Sequence, residues 1–220
     1  MDKQHLDSVL GCLGPLRTPE GLIPFRYARE DYARWLLAWA LETPRSLRSL
    51  KRSRAARLLD KPGPRECIAR AGGGRLDAYD LLAGCGGGEP YWLSMSRYGN
   101  PDHDAQEQQM LRRGYNLVLQ VNFPRSHAPA YRHLLDPAGK RPFINEDHPV
   151  RRGEPDTMAW ARIDLDLYRR EALIEEIQTD WLREAFDLLE LAARAEVGGR
   201  HRLDYCGLNM GVHAVREYYR

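Results

Sequence analysis

The 220-residue sequence has no apolar run of membrane-spanning length; its best stretch, Trp35 to Leu41, falls far short of the roughly 20 residues a bilayer core requires. It lacks a secretory start as well. Met1 to Leu10 carries Asp2, Lys3, His5 and Asp7 where a signal needs a basic start and an unbroken apolar stretch, so export is not expected and a cytoplasmic protein is. The four cysteines, Cys12, Cys67, Cys85 and Cys206, form no C-x-x-C pair, which excludes the usual zinc and dithiol spacings and points to reduced thiols. Cys206 has His201 and His213 near it in sequence, yet such proximity without a family context reads as an incidental thiol. Also missing are G-x-G-x-x-G, a G-K-[ST] loop, the kinase set, H-E-x-x-H and G-x-S-x-G, which disfavours standard dinucleotide binding, phosphoryl transfer, zinc proteolysis and serine hydrolysis. His103 between Asp102 and Asp104, and the set His127, His133 and His148, match no metal-ligand spacing and read as loop polarity.

What is present describes a folded protein. An apolar fraction of 43% with five Trp and eleven Tyr suits a packed core rather than a disordered chain. The expected organisation is one domain over 1–220, with a helical, basic part at 1–75 and an α+β core at 110–220. Charge is unevenly spread. Pro44 to Arg75 holds Arg45, Arg48, Lys51, Arg52, Arg54, Arg57, Lys61, Arg65, Arg70 and Arg75 against Asp60 and Glu66, giving +8 in a chain whose net charge is +2. A field of one sign steers polyanions or acidic partners, so this segment offers nucleic acid, through Arg48, Arg52 and Arg54, or an acidic protein as partners. The plainer alternative is an exposed helix face balancing the acidic second half.

Periodicity predicts a helix over Asp31 to Leu41, with Tyr32, Trp35, Leu36 and Trp39 as a core-facing stripe. A second helix is expected over Ser46 to Leu59, ended by Lys61-Pro62-Gly63-Pro64. The glycine clusters Gly72-Gly73-Gly74 and Gly84-Cys85-Gly86-Gly87-Gly88 read as turns around a short helix at Leu76 to Leu82. Further on the period changes to two. Tyr115 to Phe123 alternates as a strand with one strongly apolar face, and Ser126 to Pro155 reads mostly as loop with a helical turn at Tyr131 to Leu135. Met158 to Asp166 and Glu171 to Gln178 form a hairpin joined by Leu167 to Arg170, followed by a helix from Trp181 to about Ala195 capped by Asp180 and stopped by Gly198-Gly199. A last helix, Gly211 to Arg220, ends uncapped on Tyr218-Tyr219-Arg220, the pattern of a chain cut short. The fold class is therefore α+β: a helical N-terminal part, a mainly antiparallel sheet and a packed C-terminal helix.

The candidate site lies at the end of the third strand. Alternation puts Glu176, Gln178 and Asp180 on one face and Glu175, Ile177 and Thr179 on the other. Arg162 and Asp164 fall near that face if the hairpin holds, and Gln120 and Asn122 join it if the first strand pairs alongside. Carboxylates, amides and a guanidinium are the material of acid–base work or polar-ligand binding. The roles are Glu176 as acid–base or orienting group, Gln178 reading a polar substrate group, Asp180 capping the helix, and Arg162, Gln120, Asn122 and Trp181 in binding; Glu176→Gln or Gln178→Ala should then abolish function with little loss of stability. The competing account is a solvated sheet face with a capping Asp and a buried indole.

Glu176-Ile177-Gln178-Thr179-Asp180-Trp181 resembles the E-I-Q-S-D-W signature of a domain found in bacterial proteins and in large polyvalent proteins of phages and mobile elements. Thr179 keeps the hydroxyl of the serine, whereas Leu182-Arg183 stands where His-Gln often follows. Met158 to Arg183 as a whole resembles uncharacterised bacterial proteins. The resemblance implies a site without naming its reaction, and a strand-helix-strand order loosely like the centre of an acetyltransferase fold; Arg70 to Arg75 has the composition of that fold's pyrophosphate loop but not its spacing. Reaction, substrate and cofactor are left unnamed.

Overall fold

A computed structural model describes every residue except Glu30, Glu42, Gly72, Gly73, Gly84, Gly86, Glu107 and Arg220. In chain order the elements are α1 (Lys3–Cys12), β1 (Ile23–Tyr27), α2 (Asp31–Trp39), β2 (Arg45–Ser46), α3 (Leu47–Leu50), α4 (Ala56–Leu59), α5 (Pro62–Arg70), β3 (Arg75–Leu76), α6 (Ala78–Leu82) and β4 (Glu89–Tyr98). There follow β5 (Asn116–Asn122), α7 (His127–Leu134), β6 (Thr157–Asp166), β7 (Glu171–Gln178), α8 (Asp180–Val197), β8 (Arg202–Tyr205), β9 (Leu208–Gly211) and α9 (Val212–Tyr218). The protein is α+β. The chain divides into two compact units, 26–90 and the combination of 1–25 with 91–220.

The 26–90 unit, which carries the basic segment and α2 to α6 while α1 and the rest of 1–25 go with the larger unit, is built differently from the sequence expectation. α2 buries Ala33, Arg34, Leu37 and Ala38, so the aromatic stripe is not core: Trp39 is 86% and Tyr32 61% exposed. Leu37, Leu41, Leu50, Leu59, Cys67, Leu76 and Leu81 form the interior instead. The single helix expected over Ser46 to Leu59 is two one-turn helices, because Ser53 turns its hydroxyl onto the Leu50 carbonyl (2.8 Å) and onto the Ala55 N–H (3.2 Å), competing with the helical ladder. α4 stops at Leu59, ahead of Lys61-Pro62 as expected, but Pro62 also opens α5, where its missing N–H costs nothing. Four members of the two glycine clusters lie outside the described residues.

In the larger unit the sheet order is β1-β4-β5-β6-β7, with antiparallel pairing from β4 through β7. The β6–β7 hairpin has its expected bounds within one residue, while β4 and the β8–β9 hairpin are elements the sequence reading did not include. That second hairpin turns through Cys206 and Gly207 at φ of 49° and 72°, a left-handed pair for which glycine is suited and cysteine is unusual. α8 packs Trp181, Leu188 and Ala192 against Tyr131, Phe143, Met210 and Val215, which together make the main apolar core. Thr179, not Asp180, caps α8, accepting from the Leu182 N–H at 3.2 Å.

The sheet's burial reverses the usual pattern. Along β5 the polar set is fully buried, Asn116, Gln120 and Asn122 together with Val118, while on the apolar face Leu117 is buried but Leu119 and Val121 are only half-buried. Register aligns Ser94 with Gln120, Gln120 with Trp160, and Trp160 with Gln178, so one polar face runs across four strands. That face is not solvated. The buried polar groups satisfy one another: Ser94 donates to Gln120 at 2.7 Å, Asn122 donates to Ser94 Oγ at 2.8 Å, and Thr157 donates to Asn122 at 2.8 Å.

Candidate functional site

The site forms where β6 and β7 bring their polar faces to the start of α8. Arg162 lies directly opposite Glu176, and its Nη2 meets the carboxylate at 2.7 Å. Only 5% of Arg162 is exposed; it also donates to the Gln109 carbonyl at 2.9 Å and stacks over the Tyr98 ring at 4.7 Å. Past the strand end, Gln178 Nε2 donates to Asp180 at 3.1 Å. Because Thr179 takes the cap, the Asp180 carboxylate is free for a longer-range partner. That partner is His148, whose Nδ1 stands 2.6 Å from Asp180 Oδ2, with Arg183 on the other oxygen.

This pair is the chemical centre of the cluster. The Asp180 side chain is 8% exposed and that of His148 29%, so a buried carboxylate sits behind a reachable imidazole. With Nδ1 turned to the carboxylate, Nε2 is the ring nitrogen left for another partner, and Asn145 Nδ2 stands 3.5 Å from it. His148 is carried by a loop pinned to the polar face: Gln120 Nε2 donates to the Pro149 carbonyl at 2.7 Å, and the Arg151 N–H to Thr157 at 2.9 Å. Gln120 thus acts on the loop, and Asn122 on the neighbouring network, rather than on the small cavity itself.

That cavity, of about 60 Å³, is walled by His148, Trp160, Arg162, Glu176 and Gln178. It has room for a few water-sized groups. Two residues of this lining carry buried donors, Trp160 Nε1 and Arg162 Nε, that have no acceptor among the described residues. A larger cleft of about 1060 Å³ shares His148 and Pro149 with it and reaches Ser94, Ser96 and Gln120.

Two assignments change. Glu175 was expected on the opposite face from Glu176, but the register slips by one residue between Arg162 and Ile163. A bulge of this kind turns two successive residues the same way. Glu175 accordingly joins the polar face, accepting from Asn116 Nδ2 at 2.5 Å and the Leu111 N–H at 2.9 Å. Trp181 turns into the core, with Phe123 edge-on at 4.8 Å and its Nε1 donating to Tyr218 at 3.2 Å, and does not wall the cavity. His148, read from sequence as loop polarity, is the residue the sequence reading missed; its partner lies 32 positions away and no local spacing announces the pair.

His127 stacks on Phe123 within the aromatic core, and burial lowers its pKa to about 4. Among the described residues no group of three or more His, Cys, Asp or Glu could hold a metal ion. All four cysteines are free, and desolvation followed by Glu184 pushes the Cys206 thiol up, away from a thiolate. Arg48, Arg52 and Arg54 are exposed in the 26–90 unit. No described helix is long and apolar enough to cross a membrane. Compared with known proteins, the chain matches no family model, no curated protein and no solved structure.

Proposed function

We propose that the larger unit is an enzyme or enzyme-like ligand-binding domain doing acid–base chemistry on a polar ligand at the His148–Asp180 pair. The observation that carries this reading is the buried carboxylate orienting a reachable imidazole beside two buried donors without acceptors. His148 Nε2 takes or gives the proton, Asp180 holds the ring, and Gln178 holds Asp180. Glu176, committed to Arg162, orients ligand rather than shuttling protons. Trp160 Nε1 and Arg162 Nε bind an oxygen of the ligand. The resemblance of Glu176 to Trp181 to the phage and bacterial signature supports a site at this strand end, and the free cysteines suit a reducing cytoplasm.

A thermal-shift screen with nucleotides, acetyl-CoA, NAD and divalent metals tests it. A ligand at about a hundred times its dissociation constant stabilises by roughly 2.7 kcal/mol. The expected hit loses at least tenfold in affinity in both His148→Asn and Glu176→Gln. A hit that both variants keep in full moves the site elsewhere.

A second reading concerns the 26–90 unit. Its ten basic side chains between Arg45 and Arg75 are all exposed, and Trp39, far from being core, is 86% exposed on the same unit. Exposed arginines and an open indole support single-stranded nucleic acid as partner, with phosphate contacts and base stacking. Fluorescence anisotropy with a labelled oligothymidylate should show binding at low salt that weakens steeply as salt rises, and that drops severalfold both in Trp39→Ala and on neutralising Arg48, Arg52 and Arg54. Absent binding at low salt, or equal binding of an acidic peptide, removes nucleic acid from the account.

A further inference from the structure

The wall of the large cleft carries an arginine with no ion pair among the described residues. Arg17 follows a 3₁₀ turn, Gly14–Leu16, and lines the cleft; its Nε and Nη2 are shielded from solvent and have no hydrogen-bond partner. Buried donors of charged groups are normally paired, since leaving them unmade is costly. Other arginines of the same wall are engaged. Arg141 pairs with Asp156 at 2.9 Å, Arg151 donates to the backbone carbonyls of Glu154 at 2.8 Å and Glu20 at 3.0 Å, and Arg97 lies over the Tyr115 ring at 5.7 Å. Arg152 is exposed and has no ion pair among the described residues.

Carboxylates line the cleft too, namely Glu20, Glu146 and Asp147. Glu20 stands 4.0 Å from Arg125 and Glu146 3.7 Å from Arg141, so both already face a cation. Asp147 has no ion pair among the described residues, so the lining sets three carboxylates against five arginines and its excess charge is positive; of those arginines, Arg17 and Arg152 are the two whose guanidinium groups have neither a carboxylate, a carbonyl nor a ring as partner among the described residues. Two uncommitted guanidinium groups on one cleft call for a ligand group with more than one charge and several acceptor oxygens. A volume of about 1060 Å³ admits a ligand well beyond a bare ion.

We propose that this cleft binds a phosphate monoester, with its phosphoryl oxygens on Arg17 and Arg152 and its remainder directed toward His148. The proposal rests on the acid–base reading of His148 for what happens to the ligand, but not for its binding. Calorimetric titration with glucose 6-phosphate and adenosine 5′-monophosphate, against glucose, adenosine and succinate, tests it. The phosphate esters should bind at least tenfold more tightly than their uncharged parents. Arg17→Met should weaken them at least tenfold while leaving the unliganded melting temperature equal or higher, because an uncompensated cation is replaced by an apolar chain of similar length.

Succinate binding as well as the esters overturns the phosphate assignment. So does unchanged ester affinity in Arg17→Met, or a fall of several degrees in its unliganded melting temperature, which would make Arg17 a structural cation. Esters that bind no more tightly than their neutral parents, with both lost in Glu176→Gln and both indifferent to Arg17→Met, leave the acid–base site standing and overturn the phosphate ester alone.

Discussion

Arg162→Met should cost about 3 kcal/mol of stability, the lower end of what breaking a buried ion pair costs, and lower the melting temperature by about 6–12 °C for a chain of this size. The buried guanidinium holds Glu176 at 2.7 Å and the carbonyl of Gln109 at 2.9 Å. Methionine fills much of the same volume but strands a carboxylate and a carbonyl. The loss stays at the lower end because 29% of the Glu176 side chain is exposed, so water reaches the orphaned charge. Glu176→Gln alone keeps an acceptor for Arg162 and should cost about 1–2 kcal/mol, more than the small effect expected when Glu176 was read as a free site residue. Combining the two changes should lose less than their sum, since each removes the other's unpaired partner. Chemical denaturation of the four proteins decides this. A single Arg162→Met within 1 kcal/mol of wild type would mean the pair does not anchor β7 to β6.

The sequence discloses elements whose signal is local and loses those whose signal is not. The β6–β7 hairpin and α8 were legible because alternation, a four-residue gap and a glycine stop each act over a few residues. β4 was overlooked behind Pro90 and a glycine cluster, although Leu93, Ser94, Met95 and Ser96 do alternate. Facing directions failed for a different reason. Period alone says which residues share a face, not which face meets the interior, and here loops cover the polar side. The aromatic stripe of α2 misled in the same way, since its aliphatic face had a better-fitting core to join. Within the site, Glu176, Gln178 and Arg162 could be grouped by parity and pairing. Glu175 could not, because one bulge residue reverses parity, and His148 could not, because only the folded loop carries it to Asp180.

Acid should weaken the larger unit through His127. Burial among Phe123, Tyr131, Trp181 and Tyr218 lowers its folded-state pKa to about 4, against about 6.5 when unfolded, and no carboxylate stands among these neighbours. Above pH of about 6.5 both states are neutral and the full stability is present. Between about 6.5 and 4 the unfolded chain binds a proton that the folded chain refuses, so stability falls through that window and this contribution levels off below it. The full difference corresponds to at most about 3 kcal/mol, and the ring's remaining contact with solvent brings the expectation to about 2 kcal/mol. Tyr218 does not titrate in this window, because burial pushes its hydroxyl further up, and its 2.5 Å contact to His127 Nε2 favours the neutral ring. Carboxylates elsewhere also protonate near pH 4, so the informative quantity is the difference between wild type and His127→Phe across pH 7 to 4. Phenylalanine preserves the stacking on Phe123 and cannot bind the proton, so the variant should gain on wild type by about 2 kcal/mol as the pH falls. Parallel stability curves for the two proteins would show that the ring titrates alike in both states.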